Sequence, residues 1–352
     1  MVVAPLPTCG SIVARTSGHL GSRRGIVGTS LRVVKAVPGT ASRVSRGRQP
    51  IVPSAAMKVS VAGAGGRTGS LVMKKLCEQS SVFETPTGLV RSQKSADKLR
   101  KVVGDDSLTN TIEGDISDEK VLTDLCKDAD ALVILTSAVP KPKIASILTA
   151  LITKILPWME NKRPEFLFPD EGSPEEVDWL GQKKQIDAAV ASNSVSKIIL
   201  VSSMGGTQID NFLNTMGAGG AIGEANILLW KRKAEMYLID MCEKSGGRVS
   251  YSIIHPGGLL DKPGGERELL VGVDDSLLDG DRRSVPRTDV AEMVVQCLKM
   301  EGDTSKNVSF DLASRDPGEG SWATTDFEQL LKSLNGKSAD YKLPKGSPVP
   351  LP

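Results

Sequence analysis

Residues 58–69 read Lys-Val-Ser-Val-Ala-Gly-Ala-Gly-Gly-Arg-Thr-Gly. Val59, Val61 and Ala62 make a short apolar strand, and Gly63, Gly66 and Gly69 then fall in a G-x-x-G-x-x-G pattern, to which Gly65 adds a G-x-G. Over 68–78 the apolar residues Leu71, Val72, Met73 and Leu76 give the stripe of a helix. A strand that turns through glycines into a helix lets backbone approach a pyrophosphate, and it aims the helix N–H groups at that charge. The context therefore predicts dinucleotide binding, with Gly63, Gly65, Gly66, Arg67, Thr68 and Gly69 forming the phosphate turn.

Working outward, strand and helix patterns alternate. Strands are predicted over 87–90, 109–113, 131–135, 198–201, 249–254 and 308–312. Helices are predicted over 95–103, 118–127 with Ser117 as its cap, 175–192, 225–244, 288–300 and 325–334. Such alternation with right-handed crossovers gives an α/β fold, a doubly wound parallel Rossmann sheet. One domain is expected over 57–335, followed by a loose Pro- and Lys-rich tail over 336–352. Regularity breaks at 143–160, where prolines 140, 142, 157 and 164 bracket an apolar helical stretch. At roughly 15 residues it is short for a membrane span and reads as a cover helix or a protein-partner surface over 144–156.

In a doubly wound sheet, ligands lie at the carboxyl ends of the strands. Those ends are Gly63, Arg91, Asp115, Thr136, Ser202 and His255. The second strand ends in Val90-Arg91-Ser92 instead of an acidic residue, so a 2′-phosphate meets a cation and a hydroxyl. That favours NADP(H) over NAD, with Arg67 as a second cation. Asp115 reads either as an acceptor for the adenine amino group or as a helix-entry residue, with Ile116 against the ring. Thr136 and Ser137 are small enough to admit the nicotinamide end, and Pro256 closes the same side.

Composition narrows the classes. The first 57 residues carry eight Lys and Arg and no acid, the pattern of an organelle transit peptide over 1–56. Plastid stroma is the expected address, with mitochondrion or cytoplasm as alternatives. Removing those eight from the 44 basic residues leaves 36 against 42 acidic, a net of −6, which argues against a nucleic-acid-binding body. Five cysteines without a C-x-x-C pair and two histidines, His19 and His255, give little material for disulfides, a metal site or a Ser–His–Asp hydrolase.

The stretches 63–69, 88–92, 114–116, 132–140, 177–189 and 202–206 resemble the atypical short-chain dehydrogenase/reductases, most closely the plant plastid subgroup of NAD(P)-binding, NmrA-like Rossmann proteins. Trp230-Lys231-Arg232-Lys233-Ala234-Glu235 and Gly257-Gly258-Leu259-Leu260-Asp261-Lys262 are similar to it as well. The resemblance implies an NADP-bound Rossmann domain and, in typical members of the superfamily, a Ser, Tyr and Lys that reduce carbonyls. Ser203 or Ser202 matches the Ser and Lys233 the Lys, which would also hold the ribose. Four residues before Lys233 stands Leu229, which has no proton to give. Tyr237 could substitute, and His255 reads as a satisfied loop histidine. Two functions follow: an oxidoreductase moving hydride to or from a small organic substrate, or a non-catalytic NADP(H)-sensing module that binds a protein partner.

Overall fold

The computed structural model describes residues 56–104, 109–155, 165–168, 172–217, 225–280, 283–318 and 322–352. The expected targeting segment, apart from Ala56, and the insertion residues 156–160 lie outside them.

The first half alternates as the glycine turn requires: β1 (Val59–Ala62), α1 (Arg67–Cys77), β2 (Thr87–Val90), α2 (Gln93–Val103), β3 (Asn110–Glu113), α3 (Glu119–Cys126) and β4 (Ala131–Ile134). The insertion forms β5 (Lys141–Pro142), α4 (Ile144–Ile155) and β6 (Phe166–Leu167). A π-helical segment, Glu175–Gly181, runs into α5 (Gln182–Ala191) and is followed by β7 (Lys197–Val201), α6 (Ile227–Lys244) and β8 (Ser250–Pro256). The chain ends with β9 (Gly258–Leu260), β10 (Leu269–Gly272), β11 (Ser284–Pro286), α7 (Arg287–Lys299), β12 (Val308–Ser314) and α8 (Phe327–Lys332).

Strand order is β3-β2-β1-β4-β7-β8-β12, all parallel, with β11 and β10 antiparallel to β12 and β9 beside β11. The order reverses between β1 and β4, where Val61 faces Gly88 on one side and Val133 on the other. This is the crevice position that ligands take in open α/β sheets. Both central strands are buried throughout, so their near-continuous apolar runs are what a sheet covered on two faces demands. One face packs Val72, Met73 and Leu76 of α1 with Val290 and Val294 of α7, and the other packs Leu122, Leu125, Ile186 and Leu238 of α3, α5 and α6. Each such side chain contributes about 1.5–3 kcal/mol of burial.

Several local expectations are corrected. Asp118, not Ser117, caps α3: its Oδ1 accepts from the Lys120 and Val121 amides at 2.9 and 3.4 Å. A carboxylate there also suits the positive end of the helix. The strand predicted over 249–254 runs on to Pro256, and β9 starts at Gly258. The three short strands β9 to β11 carry no clear alternation and were not legible. The tail is not loose: Ala339 and Val349 are buried, the Ala339 amide donates to the Ser309 carbonyl at 3.1 Å, and Tyr341 packs its ring 4.2 Å from the Arg232 guanidinium carbon. A few apolar anchors among the prolines and lysines are enough to dock it.

Candidate cofactor and substrate site

Five of the six predicted strand ends, Gly63, Arg91, Asp115, Thr136 and Ser202, line one cavity of about 930 Å³, and His255 is buried outside it. Its floor is the glycine turn. Gly63 sits at φ +82°, and a Cβ on Gly69 would lie 2.1 Å from the Gly63 carbonyl oxygen, so neither position accepts a side chain without moving backbone. Gly66 caps α1, whose first turn carries Arg67, Thr68 and Gly69 and no acid, and all three line the cavity with Gly63 and Gly65. Free amides and a helix dipole without an opposing carboxylate are the donor set that fits a pyrophosphate.

Arg91 follows β2, is exposed, lines the cavity and has no paired carboxylate among the described residues. Ser92 does not join it. Its Oγ caps α2, accepting from the Ser95 amide at 3.4 Å, and Ser95 lines the cavity in its place. Arg67 is likewise separate from Arg91: its guanidinium bonds Asp261 Oδ2 at 3.0 Å, and Asp261 Oδ1 takes Arg287 at 2.7 Å. The two arginines and the carboxylate form a strap at the cavity wall, since Arg67 and Arg287 both line it.

Asp115 lines the cavity while its Oδ1 accepts from the Ser117 amide at 2.8 Å, the helix-entry geometry. Ile116 lines it too, against Gly181, where a Cβ would fall 2.5 Å from Ile116 Cδ1. The glycine that ends the π segment thus makes room for Ile116, and extra turns of this kind are common at functional sites. Thr136 is fixed by two glutamines: Gln182 Nε2 donates to its carbonyl at 2.9 Å, and Gln185 Nε2 to its Oγ1 at 3.1 Å. Ser137 and Pro256 also line the cavity.

The two lysines of α6 nearest the site are placed differently. Lys233 is absent from the cavity lining; its ammonium lies 4.5 Å from the Trp179 ring centre and 5.5 Å from that of Trp230. The aromatic faces hold it by cation–π attraction, and burial lowers its pKa. Lys231 lines the cavity instead, with Nζ 2.7 Å from Asp178 Oδ1. Asp178, on the π segment and fully buried, also accepts from the Ala138 amide at 3.1 Å. One turn before Lys231 stands Ile227, in the lining, whereas Leu229 is wholly buried outside it. The tyrosine position in front of the cavity lysine is therefore apolar, although at a different residue from the one the motif alignment selects. Helical spacing was the available signal, because 227, 228 and 231 share a face. Tyr237 is no substitute in the cavity: its hydroxyl donates to Asp187 Oδ1 and its ring packs edge-on against Trp179.

Two serines follow β7, and both line the cavity. Ser203 Oγ donates to the Met204 carbonyl at 3.0 Å and is partly exposed. Ser202 is buried and donates to Glu235 Oε1 in a very short contact. Behind it Glu235 Oε2 meets His255 Nε2 at 3.1 Å and Arg232 at 3.5 Å, and His255 Nδ1 lies 3.4 Å from Asp311. Burial alone would lower the His255 pKa, but Glu235 and Asp311 together outweigh it and hold it at about 9. Burial would raise Glu235, but His255, Arg232 and Ser202 hold it at about 2. The histidine thus lies between two carboxylates, which come from α6 and β12, distant in sequence.

The sequence pattern of the NAD(P)H-binding family matches residues 63–301. An uncharacterized chloroplastic protein of Arabidopsis thaliana is 47% identical over 281 residues, covering 80% of this chain and 76% of its own. Sanguinarine reductase of Eschscholzia californica is 46% identical over 285 residues, covering 79% of this chain and 96% of its own. Among solved structures, a short-chain dehydrogenase/reductase from Veillonella parvula in complex with NADP is 14% identical, with a TM-score of 0.49, covering 77% of this chain and 99% of that one. The chain belongs to the NAD(P)H-binding family.

Proposed function

We propose that this protein is a plastid reductase that uses NADPH to reduce a small apolar organic acceptor. The observation that carries the reading is the division of one cavity into two chemically different ends. At one end stand the glycine turn, the first amides of α1 and Arg91, which has no carboxylate partner among the described residues. At the other end Val139, Leu213, Met216, Ile227 and Leu228 present apolar surface beside Ser203. The first set suits a phosphorylated dinucleotide and the second an apolar ligand. NADPH, when bound, supplies a hydride at the boundary between them.

Arg91 would take the 2′-phosphate, Gly65 to Gly69 the pyrophosphate, and Ile116 with Asp115 the adenine. Thr136, Ser137 and Pro256 would frame the nicotinamide end, and Lys231, fixed by Asp178, would face the ribose. An acceptor that gains a proton on reduction has Ser203 or water to supply it, because Ile227 has no proton to give. Ser202 stays committed to Glu235 and would act by fixing the strand end. Leu229 is buried outside the lining and does not plug the cavity, which favours turnover over a purely sensing module. The chloroplastic relative supports the plastid address.

The test is consumption of reduced nicotinamide by the purified chain with sanguinarine, the compound in one relative's name, as the first probe. The proposal requires turnover with NADPH that weakens when Ser203→Ala is introduced. A chain that binds neither NADPH nor NADP+ would refute it.

A further inference from the structure

Helix α4 is unlike the rest of the fold in how little of it is covered. Ile144, Ile147, Leu148, Leu151 and Ile152 recur at the spacing of one helix face, and all are exposed, from 43% to 82%. The corresponding stripes of α1, α3 and α7 pack into the two core layers. The charge around α4 is predominantly basic. Between residues 141 and 165 the chain carries Lys141, Lys143, Lys154, Lys162 and Arg163 against Glu160 and Glu165. Lys143 is paired with Glu165 at 3.0 Å, which leaves exposed Lys141 and Lys154 flanking the two ends of the helix.

Those features fix the kind of surface that fits. Twelve residues of helix span about 18 Å, far short of a hydrocarbon core of about 30 Å, and no helix among the described residues is long and apolar enough to cross a membrane. A short helix with an apolar face and basic ends lies in the plane of a bilayer surface, its apolar side chains among the upper acyl chains and its lysines among anionic headgroups. A second copy fits less well. Antiparallel pairing of two such helices sets Lys154 of one near Lys141 of the other, and α4 carries no acid to compensate them.

We propose that α4 is an interfacial helix that seats this protein on an anionic lipid surface. The test is cosedimentation of the full chain with vesicles of phosphatidylcholine, with or without phosphatidylglycerol. Three proteins are compared: the unchanged chain, Leu148→Glu/Leu151→Glu, and Lys141→Gln/Lys154→Gln. The basic N-terminal segment is common to all three, so differences report α4.

The unchanged chain is expected to bind vesicles containing phosphatidylglycerol. The double Leu variant should bind at least about tenfold more weakly, as loss of two buried leucines implies. The double Lys variant should lose about fivefold per lysine on the anionic vesicles only. Unchanged NADPH affinity shows that each variant is folded. Binding by the double Leu variant equal to that of the unchanged chain overturns the proposal. So does failure of the unchanged chain to bind, or a dimer in light scattering that the double Leu variant dissolves without any vesicle binding.

Discussion

Glu235→Gln removes one charge from the middle of the buried cluster while keeping the side chain's shape. Glu235 is 2% exposed and meets Ser202, His255 and Arg232. The variant leaves His255 and Arg232 close together, with Asp311 at 3.4 Å as the remaining carboxylate. Breaking a buried pair by removing one partner costs about 3–5 kcal/mol. At the lower figure the melting temperature of a chain this size falls by about 6–12 °C.

The pH dependence gives a sharper readout than the temperature alone. His255 rises from an ordinary 6.5 to about 9 in the folded chain. A raised pKa means its contribution is fully present below pH 6.5 and is lost as pH climbs through about 9, up to about 3 kcal/mol over that window. Glu235, lowered from 4.5 to about 2, contributes fully above pH 4.5 and loses its share as pH falls through about 2. The pair is therefore strongest between pH 4.5 and 6.5. Thermal melts across these windows should show an alkaline loss in the unchanged chain that flattens in Glu235→Gln. A variant with the same midpoint and the same alkaline slope would refute the reasoning.

Other perturbations separate the parts of the site. Gly69→Ala forces a Cβ to 2.1 Å from the Gly63 carbonyl oxygen, so calorimetry should find nucleotide binding abolished or the fold lost; normal affinity would count against the turn as drawn. Lys231→Met should destabilise the chain by about 3 kcal/mol and weaken cofactor binding, because it strands buried Asp178. Lys233→Met, which loses cation–π contacts with Trp179 and Trp230 and no paired buried carboxylate, should cost less than Lys231→Met, about 1 kcal/mol, and leave cofactor affinity intact. The reverse ranking would restore the motif-based choice of lysine. Truncation after Gly336 removes Tyr341 from Arg232 and the buried Ala339 and Val349, and should lower the melting temperature by several degrees, as two or more buried side chains are lost.

The sheet was legible because its central strands are short, wholly apolar runs and its first turn carries glycines at fixed offsets. The phosphate end of the site was legible for the same reason: Gly63, Gly66, Gly69 and Arg91 sit at strand or helix ends that periodicity locates. The other end depends on quantities that pattern reading does not supply. Lys231 and Lys233 are two residues apart, which is 200° around a helix, so the motif alignment and the cavity lining select different faces. Asp178 looked like any acid in a polar helix start, and only the π segment turns it inward. His255 gained two carboxylates from α6 and β12, a convergence set by strand order. Ser92 was drawn to the backbone of α2 by the same capping chemistry that Ser117 was expected to perform and Asp118 does. The docked tail escaped notice because its anchors are few and scattered.

The central claim is that the cavity holds a dinucleotide and that Arg91 selects the 2′-phosphate. Titration calorimetry of NADPH and NADH against the unchanged chain and Arg91→Ala tests it directly. A charge-assisted phosphate contact of about 1.5–3 kcal/mol predicts NADPH binding about 10- to 100-fold tighter than NADH, with the preference gone in the variant and NADH affinity unaltered. Equal affinity for the two nucleotides in the unchanged chain, or a preference that survives Arg91→Ala, would contradict it.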